Sequence, residues 1–187
     1  MSILKTRHSL MSTAALSLCA VFAPAAHAEG WQFLPAFNDP QYKPELTLAI
    51  TGNRLQPDQG NDADAWGIDL NMNCGLLQSP DKRIRTHVNL SRSDEAGVKV
   101  TALELSPRYT MPVGAGFSLG AGPSLALFKV DGPGADRTLT GLGVAAGVNY
   151  RVGAFYAGAD VRYHATAARS GVDLDPVTLG VKVGVNF

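Results

Sequence analysis

From residue 177 to the C-terminus the chain reads VTLGVKVGVNF. Val177, Leu179, Val181, Val183, Val185 and Phe187 occupy one phase, and Thr178, Gly180, Lys182, Gly184 and Asn186 occupy the other. Successive side chains of a β-strand point to opposite faces, so strict period two means a strand with one apolar and one polar side. At about 11 residues it is roughly twice the usual strand of a soluble domain and long enough to cross bilayer hydrocarbon at a tilt. It reads as the closing strand of a membrane barrel.

Seven earlier stretches repeat the pattern. Leu46, Leu48 and Ile50 alternate with Thr47, Ala49 and Thr51; Trp66, Ile68, Leu70, Met72 and Cys74 alternate with Gly67, Asp69, Asn71 and Asn73. Ile84, Val88 and Leu90 oppose Arg83, Arg85, His87, Asn89 and Ser91, and Leu103, Leu105 and Tyr109 oppose Glu104, Ser106 and Arg108. A fifth strand sets Phe117, Leu119, Ala121, Leu125 and Leu127 against Ser118, Gly120, Gly122, Ser124 and Ala126. The sixth sets Leu142, Val144, Ala146, Val148 and Tyr150 against Gly141, Gly143, Gly147 and Asn149. The seventh sets Phe155, Ala157, Ala159, Val161 and Tyr163 against Tyr156, Gly158, Asp160, Arg162 and His164. Several of the segments between them are rich in Gly, Pro and Asp, as turns require. Pro107 lies inside the fourth strand and predicts a bulge or a poorly paired site there. Eight strands are an even number, so residues 45–187 are expected to form an all-β, eight-stranded antiparallel up-and-down transmembrane β-barrel.

The segment before the barrel has two parts. Lys5 and Arg7 give a positive start, residues 14–26 are almost continuously apolar or small, and Ala26-His27-Ala28 is a cleavage signal, so residues 1–28 read as a secretory signal peptide. A competing lipoprotein reading would lipidate Cys19, with bulky Leu18 against it. Residues 29–44 carry Pro35, Pro40 and Pro44, a spacing that breaks any long helix, together with Trp31, Phe33, Phe37 and Tyr42. They read as an irregular periplasmic arm that packs on the barrel mouth or the membrane interface.

Charge and cysteines narrow the function. The chain has 16 Lys plus Arg against 16 Asp plus Glu, which gives no basic nucleic-acid surface. Loss of residues 1–28 leaves Cys74 alone, so a disulfide and a Cys-rich metal site are not expected, and no cofactor is implied.

Glycines place the polar face. Gly120, Gly122, Gly141, Gly143, Gly147, Gly158, Gly180 and Gly184 suit the crowded inside of a narrow cylinder better than a solvated surface. With strands running alternately up and down, Tyr109, Phe117, Tyr150, Phe155 and Phe187 fall on the apolar face at one end, an aromatic girdle at a membrane interface. Trp66 and Tyr163 fall on that face at the other end. Short turns at the girdle end make it the periplasmic one.

The inward face collects charge. Asp69, Glu104, Asp160 and Lys182 lie about five residues up from the girdle end, with Arg85, His87, Arg108, Arg162 and His164 within a few residues. An eight-stranded lumen is just wide enough for side chains to fill it, so buried charges must pair. The expectation is a salt-bridge plug with Lys182 paired above all to Asp160; a narrow gated polar path is the alternative. A lipid-modifying hydrolase is a third, resting on His164 beside Thr166 with Asp160 beneath, although parity turns both His164 and Asp160 away from lipid. Asp58, Asp62 and Asp64 form a loop that could hold a divalent ion or simply be solvated.

These features together resemble the small eight-stranded outer-membrane proteins of the OmpA/opacity-like superfamily, over the whole chain from residue 29. The last hairpin is similar to that of OmpW-like proteins, through Asp160, Arg162 and Tyr163, the run Val172-Asp173-Leu174-Asp175-Pro176, and Phe187. The polar inward face departs from the apolar lumen of the OmpW-like group. The resemblance implies a Gram-negative envelope protein of adhesion, stress-resistance or small-molecule-passage type. Outer-membrane lipids and lipopolysaccharide are its implied partners, with a monomeric state. Phe187 resembles the C-terminal signal read by the barrel-assembly machinery.

Overall fold

The computed structural model describes residues 30–58, 61–95, 97–132, 136–167 and 175–187. The leader at residues 1–28 and the run Val172-Asp173-Leu174 lie outside them, as do parts of three loops. The chain divides into Met1–Trp31 and Gln32–Phe187, and the second unit holds every element below.

Ten strands and one helical turn follow in order: β1 (Gln32–Phe33), α1 (Pro35–Asn38), β2 (Thr47–Gln56), β3 (Ala63–Asn73), β4 (Leu77–Gln78), β5 (Ile84–Glu95), β6 (Val98–Gly114), β7 (Phe117–Asp131), β8 (Arg137–Val152), β9 (Phe155–Thr166) and β10 (Val177–Asn186). Eight of them close into one antiparallel barrel in the order β10-β2-β3-β5-β6-β7-β8-β9. The seam is a full ladder, from Val177↔Gln56 to Asn186↔Thr47. A closed ladder leaves no unpaired edge, which is the condition for crossing lipid with strands.

The polarity is inside out. Leu48, Ile50, Trp66, Leu142, Val181 and Val183 are exposed on the outer wall, while Asp69, Glu104, Arg108, Arg162 and Lys182 are buried in the lumen. Water would reverse that arrangement; lipid rewards it. This chain folds as a transmembrane barrel.

Pro107 sits where the β6–β7 ladder lapses. Pairing stops at Leu105↔Leu125 and resumes in the same register at Tyr109↔Ala121, leaving Pro107 opposite Pro123. Neither proline has an N–H to give, so the two occupy one gap rather than spoiling two pairs. The irregularity in this ladder falls lower, between Pro112 and Gly114, beside the turn.

β6, β7 and β8 run 17, 15 and 16 residues, more than the roughly 9–11 that hydrocarbon requires. In β7 and β8 the extra length is at the loop end, where outward residues become polar and inward ones apolar, whereas β6 runs past its β5 partner at the turn end, from Thr110 to Gly114. Leu55, Ala63, Ala102, Ala126, Phe128 and Leu139 form a buried cluster there, with Val100 and Val130 packed against it.

Candidate functional site: the lumen network

The lumen is built by the inward phase of every wall strand. β3 supplies Asp69 and Asn71, β5 Arg85 and His87, β6 Glu104, Ser106 and Arg108, β9 Asp160, Arg162 and His164, and β10 Lys182. All are buried. Burying this many charges is tolerable only with partners in good geometry.

Lys182 is the hub. Its Nζ lies 2.7 Å from Asp160 Oδ2 and 3.1 Å from Asp69 Oδ2. Arg108 Nη2 approaches the same Asp160 oxygen at 3.0 Å, and Arg162 Nε reaches Asp160 Oδ1 at 3.3 Å. Arg162 then spans to Glu104, Nη1 to Oε2 at 2.7 Å, and donates through Nη2 to Asn53 Oδ1. Asp160 therefore faces three cations. Asp69 has one among the described residues, Lys182, plus the His87 ring at 3.0 Å. Lys182 does pair with Asp160 as its sequence position suggests, yet it is Asp69 that depends on it most.

His87 is oriented by a relay. Asn71 Oδ1 accepts from Arg85 Nε at 2.9 Å, which turns the Asn71 amide toward His87 Nε2 at 3.1 Å. Nε2 is then the acceptor, and Nδ1–H donates to Asp69 Oδ1. Arg85 itself belongs to the turn-end mouth: Nη1 donates to Asn73 Oδ1 at 2.7 Å and Glu45 Oε2 at 3.1 Å, and Nη2 to the Glu45 carbonyl at 2.7 Å. A continuous polar chain thus leads from Glu45 at the mouth to Glu104 in the middle of the barrel.

His164 stands apart from that chain. Its Nε2 contacts Ser124 Oγ at 2.8 Å, Ser124 Oγ contacts Ser106 Oγ at 2.7 Å, and its ring meets Phe128 edge-on at 5.6 Å between centroids. Asp160 is turned to Arg108, Arg162 and Lys182 rather than to His164, so among the described residues the histidine has no orienting carboxylate. The sequence grouping of all nine residues separates into Lys182 with six charged or imidazole groups around it, Arg85 linked through Asn71, and His164 with the serines. Asn53, Asn71 and Ser124 are polar connectors that residue type alone did not mark.

The five girdle residues share the turn end. Phe117 pairs with Tyr150 across the ladder, with centroids 4.6 Å apart, and Tyr150 meets Phe155 at 6.3 Å. Tyr109 lies opposite Ile84 and donates its hydroxyl to Asp81 in the adjacent turn at 2.5 Å. Phe187 N donates to the Leu46 carbonyl at the barrel seam.

Two of the three first-loop acids, Asp62 and Asp64, are occupied by protein. Arg54 holds Asp64 at 2.9 Å and Asp62 at 3.3 Å, and among the described residues no group of three His, Cys, Asp or Glu could bind a metal. Cys74 is a buried free thiol.

The fold and its polarity define a small transmembrane barrel of the outer-membrane type. No protein-family profile matches the sequence, and no curated protein matches it. Among solved structures, the chain is similar to neisserial surface protein A, with a TM-score of 0.52 and 20% identity, covering 75% of this chain and 94% of that one. It is also similar to Ail, the attachment invasion locus protein of Yersinia pestis, with a TM-score of 0.50 and 15% identity, covering 78% of this chain and 100% of that one. At these identities the likeness concerns the eight-stranded fold.

Proposed function

We propose that this protein is a structural and interaction barrel of the bacterial outer membrane, exported by its N-terminal segment, whose lumen is closed to flow. The observation that carries the reading is Lys182 held between Asp69 and Asp160 with Arg108 and Arg162 on the far side, all buried. Moving an ion along this path would require breaking pairs whose separated charges are costly inside the wall. The apolar cluster of Phe128 and Leu139 above the network adds a dry layer. Contacts with other molecules then fall to the outer wall, the lipid and the loops.

A narrow solute path is the second reading. It is favoured by a crevice below the loop end where Asn53, Ser91, Ser93, Glu104 and Thr178 meet Leu55, Val100 and Ala102. Single-channel recording on the purified protein in planar bilayers separates the two. A silent membrane containing folded barrel supports closure; resolved conductance steps overturn it. A hydrolytic role is disfavoured, because the Ser124–His164 contact is enclosed in the lumen and lacks a carboxylate partner among the described residues.

A further inference from the structure

The girdle is incomplete. Outward aromatics at the turn end come from β6 (Tyr109), β7 (Phe117), β8 (Tyr150), β9 (Phe155) and the end of β10 (Phe187), which are consecutive around the barrel. β2, β3 and β5 are also consecutive and present only Leu46, Leu48, Leu70, Met72, Ile84 and Thr86 at that level. Three adjacent strands therefore lack the ring that anchors a barrel at an interface.

The arm is fastened at this gap. β1 pairs with β4 through Gln32↔Gln78 and Phe33↔Leu77, and β4 is the connection between β3 and β5. Leu34 N donates to the Leu76 carbonyl and Ala36 N to the Gly75 carbonyl. Tyr42 donates its hydroxyl to the Asn73 carbonyl, Asn73 N donates to the Pro44 carbonyl, and Lys82 reaches Asp39 at 3.4 Å.

Burial shows which side of the wall is covered. Cys74 N donates to the Ile84 carbonyl, continuing the β3–β5 ladder, and alternation points both side chains outward. Yet Cys74 is 4% and Ile84 8% exposed, where outward neighbours such as Ile68 and Leu90 stay open. Gln78, which exchanges two hydrogen bonds with the Ile84 backbone, is buried as well. This small module lies against the outer wall, and its own outer side bares Phe33 at 70%, Phe37 at 84%, Leu34 and Leu76.

We propose that residues 32–44 with β4 form a lipid-interface foot that completes the aromatic girdle over β2, β3 and β5. The occupant of the bare patch is the phospholipid interface at the turn end. Continuity assigns it: the patch adjoins the lipid-facing wall at the girdle's level and fills the arc the wall strands leave without aromatics. Aromatic rings are favoured at this depth, where one side is apolar and the other wet.

The test places one tryptophan at position 37. Phe37→Trp is made with Trp31→Phe and Trp66→Phe, and the folded protein is reconstituted into phosphatidylcholine vesicles with or without bromine on the acyl chains near the glycerol. The expected result is blue-shifted emission and loss of intensity in the brominated vesicles, unchanged on dilution with lipid. Phe187→Trp in the same background reports whether the barrel itself is inserted. Quenching at 187 with water-exposed, unquenched emission at 37 overturns the foot. A blue shift at 37 that disappears on dilution also overturns it, because a second copy then covers the patch. If Phe37→Trp does not fold, Leu76→Trp carries the same test with the same outcomes.

Discussion

Lys182 places its ammonium 2.7 Å from Asp160 and 3.1 Å from Asp69, joining a carboxylate from the neighbouring strand β9 to one from β3, which lies beyond β2 on the other side. The two contacts are unequal in what they protect. Asp160 keeps Arg108 and Arg162 if the lysine is lost, whereas among the described residues Asp69 keeps only the His87 ring.

Lys182→Met is accordingly expected to destabilise the barrel by about 3–5 kcal/mol, the usual cost of breaking a buried pair from one side. Adding Asp69→Asn should recover much of that loss, because it removes the stranded charge. Adding Asp160→Asn should not, because it leaves Arg108 and Arg162 short of an anion. Denaturant unfolding in lipid vesicles measures all three; equal recovery by the two double variants would refute the asymmetry.

Gly143 and Gly52 give a matched pair for the wall. A Cβ on Gly143 would strike the Tyr163 carbonyl across the β8–β9 ladder, and backbone cannot yield as a side chain can. A Cβ on Gly52 meets nothing nearer than Val181 Cγ2 at 3.8 Å. Gly143→Ala is expected to abolish heat-modifiable migration or lower the unfolding midpoint sharply. Gly52→Ala should stay within about 0.5 kcal/mol of the parent, as open surface positions do.

Period two and the aromatic positions made the barrel, its strand number and its turn end legible. The lumen was legible as a set of residues rather than as contacts. Counting from the girdle put Lys182 and Asp160 level, but the ladder pairs Lys182 with Gly158 and Asp160 with Gly180. Strand stagger, which no single strand encodes, decides who meets whom. The apolar layer is not legible in the sequence, because Leu55, Phe128 and Leu139 lie on the inward phase close to the loops, beyond the stretches of clear apolar–polar alternation. Glycine on the inward phase points to side-chain crowding. Gly180 fits that, since a Cβ there would press on Asn53, Arg162 and Asp160, whereas Gly143 answers to neighbouring backbone.

Asp81 offers a pH test outside the membrane span. Burial pushes its carboxyl up, but bonds from the Ser79 and Tyr109 hydroxyls and the nearby Arg83 guanidinium outweigh it and hold the group below the usual Asp range. A depressed folded-state value means the contribution is present above the ordinary Asp pKa and is lost as pH falls through the depressed one. Carboxyl chemical shifts in micelles should show a low midpoint for Asp81 that rises in Tyr109→Phe. A midpoint indifferent to Tyr109 would rule out the hydroxyl as a cause.

Closure by two stacked layers makes a stricter prediction than closure by ion pairs alone. Glu104 and Arg162 are each other's partners at 2.7 Å, so Glu104→Ala with Arg162→Ala removes both without stranding Glu104, and Asp160 retains Arg108 and Lys182. That double variant thins the charged layer but leaves Phe128, fully buried against Leu139 and the His164 ring. Phe128→Ala alone opens the dry layer above an intact network. It should cost about 3–5 kcal/mol, the usual range for emptying an aromatic site. Neither change by itself is expected to conduct, because either barrier suffices; an ion that has shed water to pass the apolar cluster gains nothing until partners below are free. With Phe128→Ala added, Lys182 still sits between Asp69 and Asp160, so resolved current steps in planar bilayers are expected only when Lys182→Met and Asp69→Asn are added to that triple variant. Conductance in the Glu104→Ala, Arg162→Ala double would mean that neither the apolar cluster nor the Lys182 pairs are a barrier, conductance in the triple would mean that the Lys182 pairs are none, and a folded but silent protein after all five changes would mean that the seal lies outside both layers.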